Sequence, residues 1–306
     1  MLERHVEGQS VQAIFAGRAR LHPSGPHATH GAALPVIHMF WHDAPLSRLE
    51  RLSMASFLAN GHQVDLYVYD ELDGVPNGVR LKDAAQVLPR EQIYRHRRTG
   101  SIGLFADWFR YRLLTEYGGI WSDTDVVCLR PLQYPIPEIF AWQDEESICN
   151  AVLGLPAGHE LALWLCACCE SPNRILPYDS FAIRVRKWRR RLQGNRRGNI
   201  RWGEYGPRGL TSAARHLGHE SKALPVDHFY PVRPDNWSSI FEIATDAAYA
   251  LLEDSRAVHL WNNMISRKHG FDKNRRFPPH SLFERLCARY LDDDRESRGA
   301  ASEPAG

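Results

Sequence analysis

The sequence lacks an apolar run long enough to cross a bilayer and carries little net charge. A membrane-spanning helix needs roughly 18 or more consecutive apolar residues, and the 306 residues contain no such run. The first 30 residues hold scattered Arg and His and no apolar core of the signal-peptide type. Lys and Arg total 38 against 36 Asp and Glu, a net charge of +2, whereas nucleic-acid-binding domains are usually clearly basic. We therefore expect a cytoplasmic protein that does not bind nucleic acid.

The sequence also has too few paired cysteines for a zinc site or a disulfide framework. Of its six cysteines, Cys166 and Cys169 form a C-x-x-C, but no second pair follows to complete a zinc site. The pair lies in an apolar, helix-like segment without the preceding strand and turn of a redox motif. We expect these thiols to pack in the core.

No internal repeat with a period of 20 to 50 residues is present, so a solenoid is not expected. Residues 34–41 are typical of a buried strand, residues 43–56 of a helix and residues 63–69 of a second, alternating strand. This βαβ unit predicts a parallel sheet that binds ligands at the carboxyl ends of its strands. We predict an α/β fold with one domain over residues 34–291, an extension over 1–33 and a disordered tail over 292–306.

Residues 101–117 form the best helical pattern of the chain, with apolar residues nearly all round, so the helix should be buried. Because buried charges require partners, we expect Asp107 and Arg110 on this helix to be paired. Gly118 and Gly119 end it, and residues 120–129 read as one strand interrupted by two carboxylates. Later segments predict helices at 160–170, 180–193 and 281–291, a helix opening at 206–207, and short strands near 225–229 and 257–261.

Asp123-Thr124-Asp125 is the sharpest chemical feature. In an extended backbone, residues i and i+2 point to the same side, so the two carboxylates would converge. Hard oxygen ligands favour Mg²⁺ or Mn²⁺, which usually complete their shells with water and substrate phosphates. The pattern predicts half of a divalent-metal site.

Residues 105–125, FADWFRYRLLTEYGGIWSDTD, resemble the D-x-D sugar-binding region of glycosyltransferase family 32. That signature, an Asp and an Arg three apart on a helix, then Gly-Gly, then D-x-D, is matched at Asp107, Arg110, Gly118, Gly119, Asp123 and Asp125. Residues 36–41, 56–62 and 205–207 and the His-Leu-Trp-Asn at 259–262 resemble further family elements. The resemblance spans residues 34–263 and is weakest between 135 and 200.

The resemblance implies a GT-A type fold, a Rossmann-like nucleotide-binding half fused to an acceptor-binding half, and a UDP-sugar donor. It also implies retention of anomeric configuration and a Mn²⁺ (or Mg²⁺) cofactor. Asp125 would coordinate the metal directly, Asp123 through water or the donor ribose, and His259 would reach the metal. The catalytic residues would be Asp107, Arg110, Asp123 and Asp125. Donor binding would fall to His38, Trp41, Asp107, Arg110, Asp123, Trp261 and Asn262.

Simpler readings remain for several of these residues. Asp107 and Arg110 could form an intrahelical salt bridge, His259 could be a structural histidine, and Trp41 could be plain core or could stack on uracil. At the level of function, the alternatives are a protein-modifying glycosyltransferase of the same fold and a non-catalytic sugar- or partner-binding protein. A third is a haloacid-dehalogenase-like phosphatase with Asp123 as nucleophile.

Nine basic residues and no acidic one lie between Arg184 and Arg201. This run could be a solvated helix face, or it could contact an anionic membrane peripherally, where each Lys or Arg contributes on the order of 1 kcal/mol. A membrane contact would suit a glycan or lipid-linked acceptor in bacterial surface polysaccharide synthesis at the inner membrane face.

Overall fold

The computed structural model describes residues 34–42, 44–243, 249 and 252–291, which belong to one compact unit. The predicted extension over 1–33 and tail over 292–306 lie outside these residues. No helix of the described chain combines the length and the apolar content that a bilayer crossing requires.

Within the described residues, eight strands form two sheets. They are β1 (Ile37–Phe40), β2 (Val64–Val68), β3 (Arg80–Asp83), β4 (Gly119–Ser122), β5 (Val126–Cys128), β6 (Ile139–Trp142), β7 (Ile148–Leu155) and β8 (Ala257–His259). The larger sheet has the order β3-β2-β1-β4-β7-β6, and β5 pairs with β8 in the smaller one. Strands β1 to β4 are mutually parallel, whereas β7 runs antiparallel to both β4 and β6. The predicted α/β class and parallel opening unit are confirmed.

Seven α-helices complete the described fold: α1 (Arg48–Ala59), α2 (Gly103–Tyr117), α3 (Glu160–Glu170), α4 (Phe181–Leu192), α5 (Pro207–Leu217), α6 (Asn262–Ile265) and α7 (Leu282–Tyr290). Helix α1 starts later than the sequence predicted, because Ser47 and Glu50 form a capping box that fixes its first turn. The predicted C-terminal turn at Gly61 is confirmed by its φ of 83°.

Strand β1 separates two apolar layers because its side chains alternate. Ile37 and Met39 belong to the core that includes α1 and α7, whereas Phe40 stacks on Phe109 of α2 with ring centroids 4.5 Å apart. Helix α2 is buried over most of its length, as predicted, and packs against α3. All six cysteines are free and buried, which confirms their packing role.

The predicted single strand over 120–129 is wrong. Strand β4 ends at Ser122 and β5 begins at Val126 in the other sheet, and a turn over Asp123–Asp125 connects them. Helix α1 covers the open edge of β5: the Ser53 hydroxyl donates to the Val126 carbonyl at 2.6 Å, and the Ser56 hydroxyl accepts from the Cys128 N–H at 2.8 Å. Satisfying those backbone groups lets the chain leave the larger sheet without leaving buried polar atoms unpaired.

The second half differs from prediction in one element and in several boundaries. Residues 225–229 are not a strand, since Val226–His228 form a 3₁₀ turn after Pro225, which has no N–H for a ladder. The strand predicted at 257–261 ends at His259, because Trp261 takes a left-handed conformation, with φ 58° and ψ 46°. Helices α3, α4, α5 and α7 lie where the sequence predicted them: α3 has the predicted bounds, and α4 and α7 are one residue shorter at each end.

Gly118 provides a test of how tightly the end of α2 is built. Its φ of 65° and ψ of −155° are essentially limited to glycine, and a Cβ there would lie 2.5 Å from the Ala157 backbone nitrogen. We expect Gly118→Ala to lower the unfolding free energy by about 2–4 kcal/mol. The matched control is Gly74→Ala, with positive φ but open space around it, which should cost about 1 kcal/mol. Equal losses in urea denaturation would contradict the backbone clash.

Candidate active site

Two sheets and one helix bring the predicted carboxylates and histidine together. Asp123 and Asp125 lie in the turn that leaves β4 and enters β5, and His259 lies at the end of β8, which pairs with β5 through Val126. Ligand-capable atoms of Asp123, Asp125 and His259 all lie within 4.8 Å of one another. The predicted convergence is therefore confirmed, although the backbone between the carboxylates is a turn and not the extended chain from which it was argued.

Asp125 is held by β8 and by the start of α6. Its Oδ2 accepts from the Asn262 backbone N–H at 2.7 Å and lies 3.0 Å from His259 Nε2. Its carbonyl accepts from the Leu260 N–H at 2.8 Å. These contacts fix the carboxylate relative to residues 134 or more positions away in sequence.

Asp123 is fixed by one oxygen and leaves the other available. Its Oδ1 accepts from the Trp121 indole N–H at 2.8 Å and pairs with Arg110 at 3.0 Å. Its side chain is 29% exposed, against 9% for that of Asp125. Asp123 is thus the member of the pair that meets solvent.

The donor set fits a divalent cation. No other residue of the described chain donates a hydrogen bond to Asp123 Oδ2 or Asp125 Oδ1. The buried Nδ1 of His259 has no nitrogen or oxygen partner, and the ring interacts with the Cys149 thiol. Two hard carboxylate oxygens with one imidazole nitrogen suit Mn²⁺, and the oxygens also suit Mg²⁺. Asp123, Asp125 and His259 are therefore the residues that could hold the predicted metal.

Charge pairing sets the protonation of this group when no metal is bound. Burial opposes ionisation of Asp125, but the facing His259 and the Asn262 N–H hold its pKa below the usual value. Burial likewise opposes the charge on His259, yet Asp125 outweighs it and raises the His259 pKa to about 10. Burial raises the pKa of Asp123 despite the nearby guanidinium of Arg110. At neutral pH, His259 therefore carries a proton that a metal ion would have to displace.

A buried network on α2 adjoins the group of Asp123, Asp125 and His259. Arg110 lies between Asp107 and Asp123, at 3.4 and 3.0 Å, and also donates to the Asn150 carbonyl of β7. Asp107 Oδ1 accepts from the Asn150 side-chain amide at 2.8 Å, whereas no described residue donates to Asp107 Oδ2. A Cβ on Gly206 would lie 3.3 Å from that oxygen. The glycine therefore leaves room beside a carboxylate oxygen without a donor.

The Asp107–Arg110 contact is more than a helix-face pair. At 3.4 Å it is longer than the contact between Arg110 and Asp123, and the guanidinium lies over the Trp121 ring, 4.9 Å from its centroid. Burial raises the pKa of Asp107 to about 6, although Arg110 and Asn150 both favour the ionised form. By contrast, Arg112 and Glu116 pair at 2.6 Å on a half-exposed face of α2, as expected for residues four apart on a helix.

Trp41 lines a separate cavity of about 350 Å³ at the carboxyl ends of β1 and β2. Tyr69 and Asp70 also line it, and the Trp41 indole donates to the Ala44 carbonyl at 2.5 Å. Lys273 places its ammonium 5.6 Å from the Trp41 ring centroid. Trp41 is thus an accessible aromatic at the sheet edge where α/β folds bind nucleotides.

His38 is not brought to these groups. It is buried within β1, 3.5 Å from the Tyr67 hydroxyl, and a Cβ on Gly119 would lie 2.8 Å from its Nε2. Burial lowers its pKa to about 4, so it is neutral at physiological pH. Its predicted role in donor binding stays a prediction, and its observed contacts are those of a core residue.

The other two predicted donor residues adjoin the metal-binding group. The Trp261 ring lies 4.1 Å from that of His259, and its indole donates to the Val232 carbonyl at 2.8 Å. Asn262 supplies its N–H to Asp125, while its buried Oδ1 has no partner in the described chain. Trp261 therefore positions His259, and the Asn262 amide is poised for a further ligand.

Two residues that orient the candidate site, Asn150 and Trp121, were not among the predicted site residues. Asn150 lies in the fully buried strand β7 and connects Asp107 with the Tyr111 hydroxyl, at 2.8 and 3.2 Å. Trp121 fixes the orientation of Asp123. A lone Asn in an apolar strand is a signal that a buried charge needs a partner, and it could have identified Asn150.

A second acid–histidine group contains Glu138, His159 and His219. His159 Nε2 lies 3.1 Å from Glu138 Oε1, and Lys222 also contacts that oxygen. His219 lies between two carboxylates, with Nδ1 3.3 Å from Glu138 Oε1 and Nε2 2.8 Å from Glu160 Oε1. Because a lysine already neutralises Glu138, this group is an ion-pair network that ties α3 to β6.

Two protein-family profiles match the chain. The glycosyltransferase sugar-binding region containing the DXD motif matches residues 68–147, and the alpha-1,4-glycosyltransferase conserved region matches residues 198–293. The first contains Asp107, Arg110, Asp123 and Asp125, and the second contains His259. The resemblance stated from the sequence is confirmed.

Curated relatives carry glycosyltransferase names. The lactosylceramide 4-alpha-galactosyltransferase of Rattus norvegicus is 28% identical over 199 residues, 61% of this chain and 47% of that protein. The alpha-1,4-N-acetylglucosaminyltransferase of Homo sapiens is 25% identical over 202 residues, 61% of this chain and 51% of that protein. The chain thus spans about half the length of the curated relatives it matches. A solved structure, PaToxG Glycosyltransferase, is 13% identical with a TM-score of 0.39 over 60% of this chain and 70% of that one, too weak a likeness to support a comparison of sites.

The protonated His259 predicts how metal binding responds to pH. Since its pKa is raised to about 10, binding through its nitrogen must release a proton, and the apparent Mn²⁺ affinity should rise up to about tenfold per pH unit below that value. Calorimetric titration from roughly pH 7 to 8.5, in buffers of different ionisation enthalpy, would measure both affinity and proton release. His259→Gln should bind more weakly, with a flattened dependence. Absence of proton release in the wild type would remove His259 from the ligand set.

Proposed function

We propose that the chain, which matches glycosyltransferase profiles at residues 68–147 and 198–293, is a family 32 type glycosyltransferase with a GT-A fold. In this proposal it transfers a hexose or N-acetylhexosamine from a UDP-sugar in a metal-dependent reaction. The observation that carries the proposal is the convergence of Asp123, Asp125 and His259 beside the buried Asp107–Arg110 pair. The names of the relatives support galactose or N-acetylglucosamine as donor sugars to test first.

The nucleotide end of the donor has a suitable cavity. Uracil is a flat aromatic ring, and the half-exposed Trp41 offers a ring face at the carboxyl ends of β1 and β2. Asp70, on the wall of the same cavity, could accept from the ribose or the base, although its carboxylate now pairs with Arg90 at 2.5 Å. We assign the uridine to this cavity.

The diphosphate would lie at Asp123, Asp125 and His259. A divalent cation held there supplies positive charge to the departing nucleoside diphosphate as the sugar bond breaks. Trp121 and Asn262 keep the two carboxylates oriented, so the site would need little rearrangement to receive the ion. Mn²⁺ is the preferred candidate because the set includes an imidazole.

Asp107 and Arg110 would act on the donor sugar. The unpartnered Asp107 Oδ2 beside Gly206 is a hydrogen-bond acceptor of the kind that a sugar hydroxyl needs. Arg110 holds Asp107 and Asp123 in one charge network, so the sugar-binding and metal-binding groups have a fixed spacing. The family resemblance implies retention of configuration. Retention by double displacement needs an enzymic nucleophile, and no carboxylate of the described site is placed as an evident one, so we favour front-face transfer.

The competing phosphatase hypothesis has less support. It requires Asp123 as a nucleophile on the first strand of its sheet, but Asp123 follows the fourth strand and its Oδ1 is engaged by Trp121 and Arg110. A non-catalytic sugar-binding protein of the same fold would bind donor without turnover, so release of UDP separates it from the proposed enzyme.

The proposal is tested by UDP release from a panel of UDP-sugars with and without Mn²⁺. Asp107→Asn should lower kcat/KM about 10²–10³-fold while UDP and Mn²⁺ still bind, because the change removes a sugar contact and leaves the diphosphate contacts intact.

Because the Asp107 pKa is raised to about 6, wild-type turnover should fall as the pH drops through that value and the Asp107 carboxylate becomes protonated. The matched control is Glu116→Gln on the exposed face of the same helix, which should leave turnover unchanged. Metal-independent turnover, or normal kinetics with lowered stability in Asp107→Asn, would contradict the assignment.

We also propose that the acceptor is a glycan or lipid-linked glycan used at the cytoplasmic face of an anionic membrane, as in bacterial surface polysaccharide synthesis. The structure refines which part of the basic run at 184–201 could take part. Lys187 is buried against Asp179 at 2.8 Å, Arg190 pairs with Glu204 at 2.9 Å, and Arg197 lies over the Trp108 ring at 4.3 Å. These three residues stabilise the fold and are unavailable to a membrane.

The outer face of α4 supports a membrane contact better than charge alone. Phe181, Trp188 and Leu192 recur at spacings of 7 and 4, so they form one helix face, and they are 83%, 58% and 68% exposed. Exposed Arg189 and Arg191 flank this apolar face on either side. Aromatic and aliphatic residues between arginines are the pattern of helices that lie in the interface of an anionic bilayer.

Sedimentation with vesicles tests the membrane proposal. Binding to anionic vesicles should be appreciable at low ionic strength and fall steeply with salt, because the Debye length is roughly 8 Å at physiological salt. Arg189→Gln with Arg191→Gln should weaken binding by about 2 kcal/mol, and Phe181→Ser with Trp188→Ser should weaken it further. The control pair Arg267→Gln and Lys268→Gln, exposed elsewhere, should bind like the wild type. Failure of the wild type to sediment at low salt would make the α4 face merely solvated.

A further inference from the structure

A cavity of about 730 Å³ between residues 96–98 and 198–208 is strongly cationic. Arg97, Arg98, Arg201 and Arg208 line it together with His96 and Trp202, and its walls contain no Asp or Glu. None of the four guanidinium groups forms an ion pair or a side-chain hydrogen bond with another described residue. Four unpaired like charges around one cavity repel one another, so the arrangement favours a bound anion.

Fold contacts hold the cavity walls in place. Two loops form most of the lining, and the Arg97 N–H of one donates to the Gly198 carbonyl of the other at 2.8 Å. A Cβ on Gly198 would lie 2.6 Å from the Arg95 carbonyl, so the two backbones are in direct contact. The walls are therefore built before any ligand arrives.

The acidic residue within the segment 201–208 is already engaged. Glu204 lies between Arg201 and Arg208 in sequence, yet both of its oxygens accept from Arg190, and Oε2 also accepts from the Arg201 backbone N–H. Arg190 thus neutralises the one carboxylate in the segment that could otherwise have compensated the cavity. The cationic character of the cavity is a consequence of this pairing.

The segment 201–208 connects the cavity with the proposed sugar-binding group. Residues 201, 202 and 208 line the cavity, and Gly206 of the same segment abuts Asp107. Trp202 is wedged against the start of α2, where a Cβ on Gly103 would lie 2.5 Å from its ring. An indole face beside Arg side chains suits a sugar ring that carries an anionic group.

Resting on the proposed function, we infer that this cavity, the arginine pocket, binds a phosphate or diphosphate group carried by the acceptor. Arginine presents a planar fork of donors that matches phosphate oxygens, and four such groups match the two or more charges of a diphosphate. The acceptor class is then a phosphorylated glycan or a glycan on a diphosphate carrier, and a neutral sugar would leave the arginines unpaired.

The test is a calorimetric titration of the full chain with inorganic pyrophosphate as the probe. EDTA is present so that the metal-dependent donor site does not compete for the probe. The wild type should bind pyrophosphate, and Arg201→Gln with Arg208→Gln should weaken binding at least tenfold. Arg189→Gln with Arg191→Gln, which removes the same charge from α4, should bind like the wild type. Asp125→Asn should also bind like the wild type, since it alters only the donor site.

Two ligands then distinguish the source of the phosphate. Geranyl diphosphate represents a lipid carrier, and glucose 1-phosphate represents a soluble phosphorylated sugar. Whichever of the two binds the wild type more tightly than the other identifies the class of ligand that the arginine pocket takes. No pyrophosphate binding, or equal binding by the wild type and the Arg201/Arg208 variant, would overturn the inference. Binding of UDP in the presence of Mn²⁺ is measured in parallel on both proteins. If the wild type does not bind UDP, the proposed function is refuted, while the pyrophosphate result for the arginine pocket stands.

Discussion

The buried guanidinium of Arg110 is the interaction on which the site depends. Its side chain is 5% exposed and lies among Asp107, Asp123, the Asn150 carbonyl and the Trp121 ring. A charge this deep is tolerated only when carboxylates and hydrogen-bond acceptors surround it, so the protein must bring α2, β4 and β7 together at one point. The same cation allows two carboxylates to lie near each other without both becoming protonated. Removing it would leave the buried Asp107 and the partly exposed Asp123 without their cation, and Asp123 would lose one of the two contacts that orient it.

Much of this arrangement could be predicted because it is local in sequence. The Asp107–Arg110 spacing, the Gly-Gly turn and the D-x-D all lie within residues 105–125, and the buried character of α2 follows from its apolar periodicity. The βαβ opening was predictable for the same reason, since each element carries its own pattern. His259 lies 134 residues from Asp125, and only the family motif connected the two.

The remainder depended on tertiary contacts that no local pattern encodes. The D-x-D pattern predicts extended chain where the structure has a turn, because nothing local in the sequence shows that β5 joins a different sheet, where hydroxyls of α1 satisfy its edge. Arg190 and Lys187 looked equivalent to Arg189 and Arg191 in the basic run, but their partners, Glu204 and Asp179, come from segments outside the helix. The arginine pocket was missed because it joins residues near 97 with residues near 201 across a backbone contact.

The long separation between the two halves of the metal-binding group bears on when the protein becomes competent during its synthesis. The turn with Asp123 and Asp125 leaves the ribosome more than 130 residues before His259 does. At synthesis rates of about 5–20 residues per second, the nascent chain would spend several seconds or more with its carboxylates formed and β5 lacking its partner β8. The Asp123–Asp125–His259 group is therefore complete only once residues 257–262 emerge and close the smaller sheet. A prematurely terminated chain that ends before them would have neither the imidazole nor the Asn262 backbone N–H that fixes Asp125.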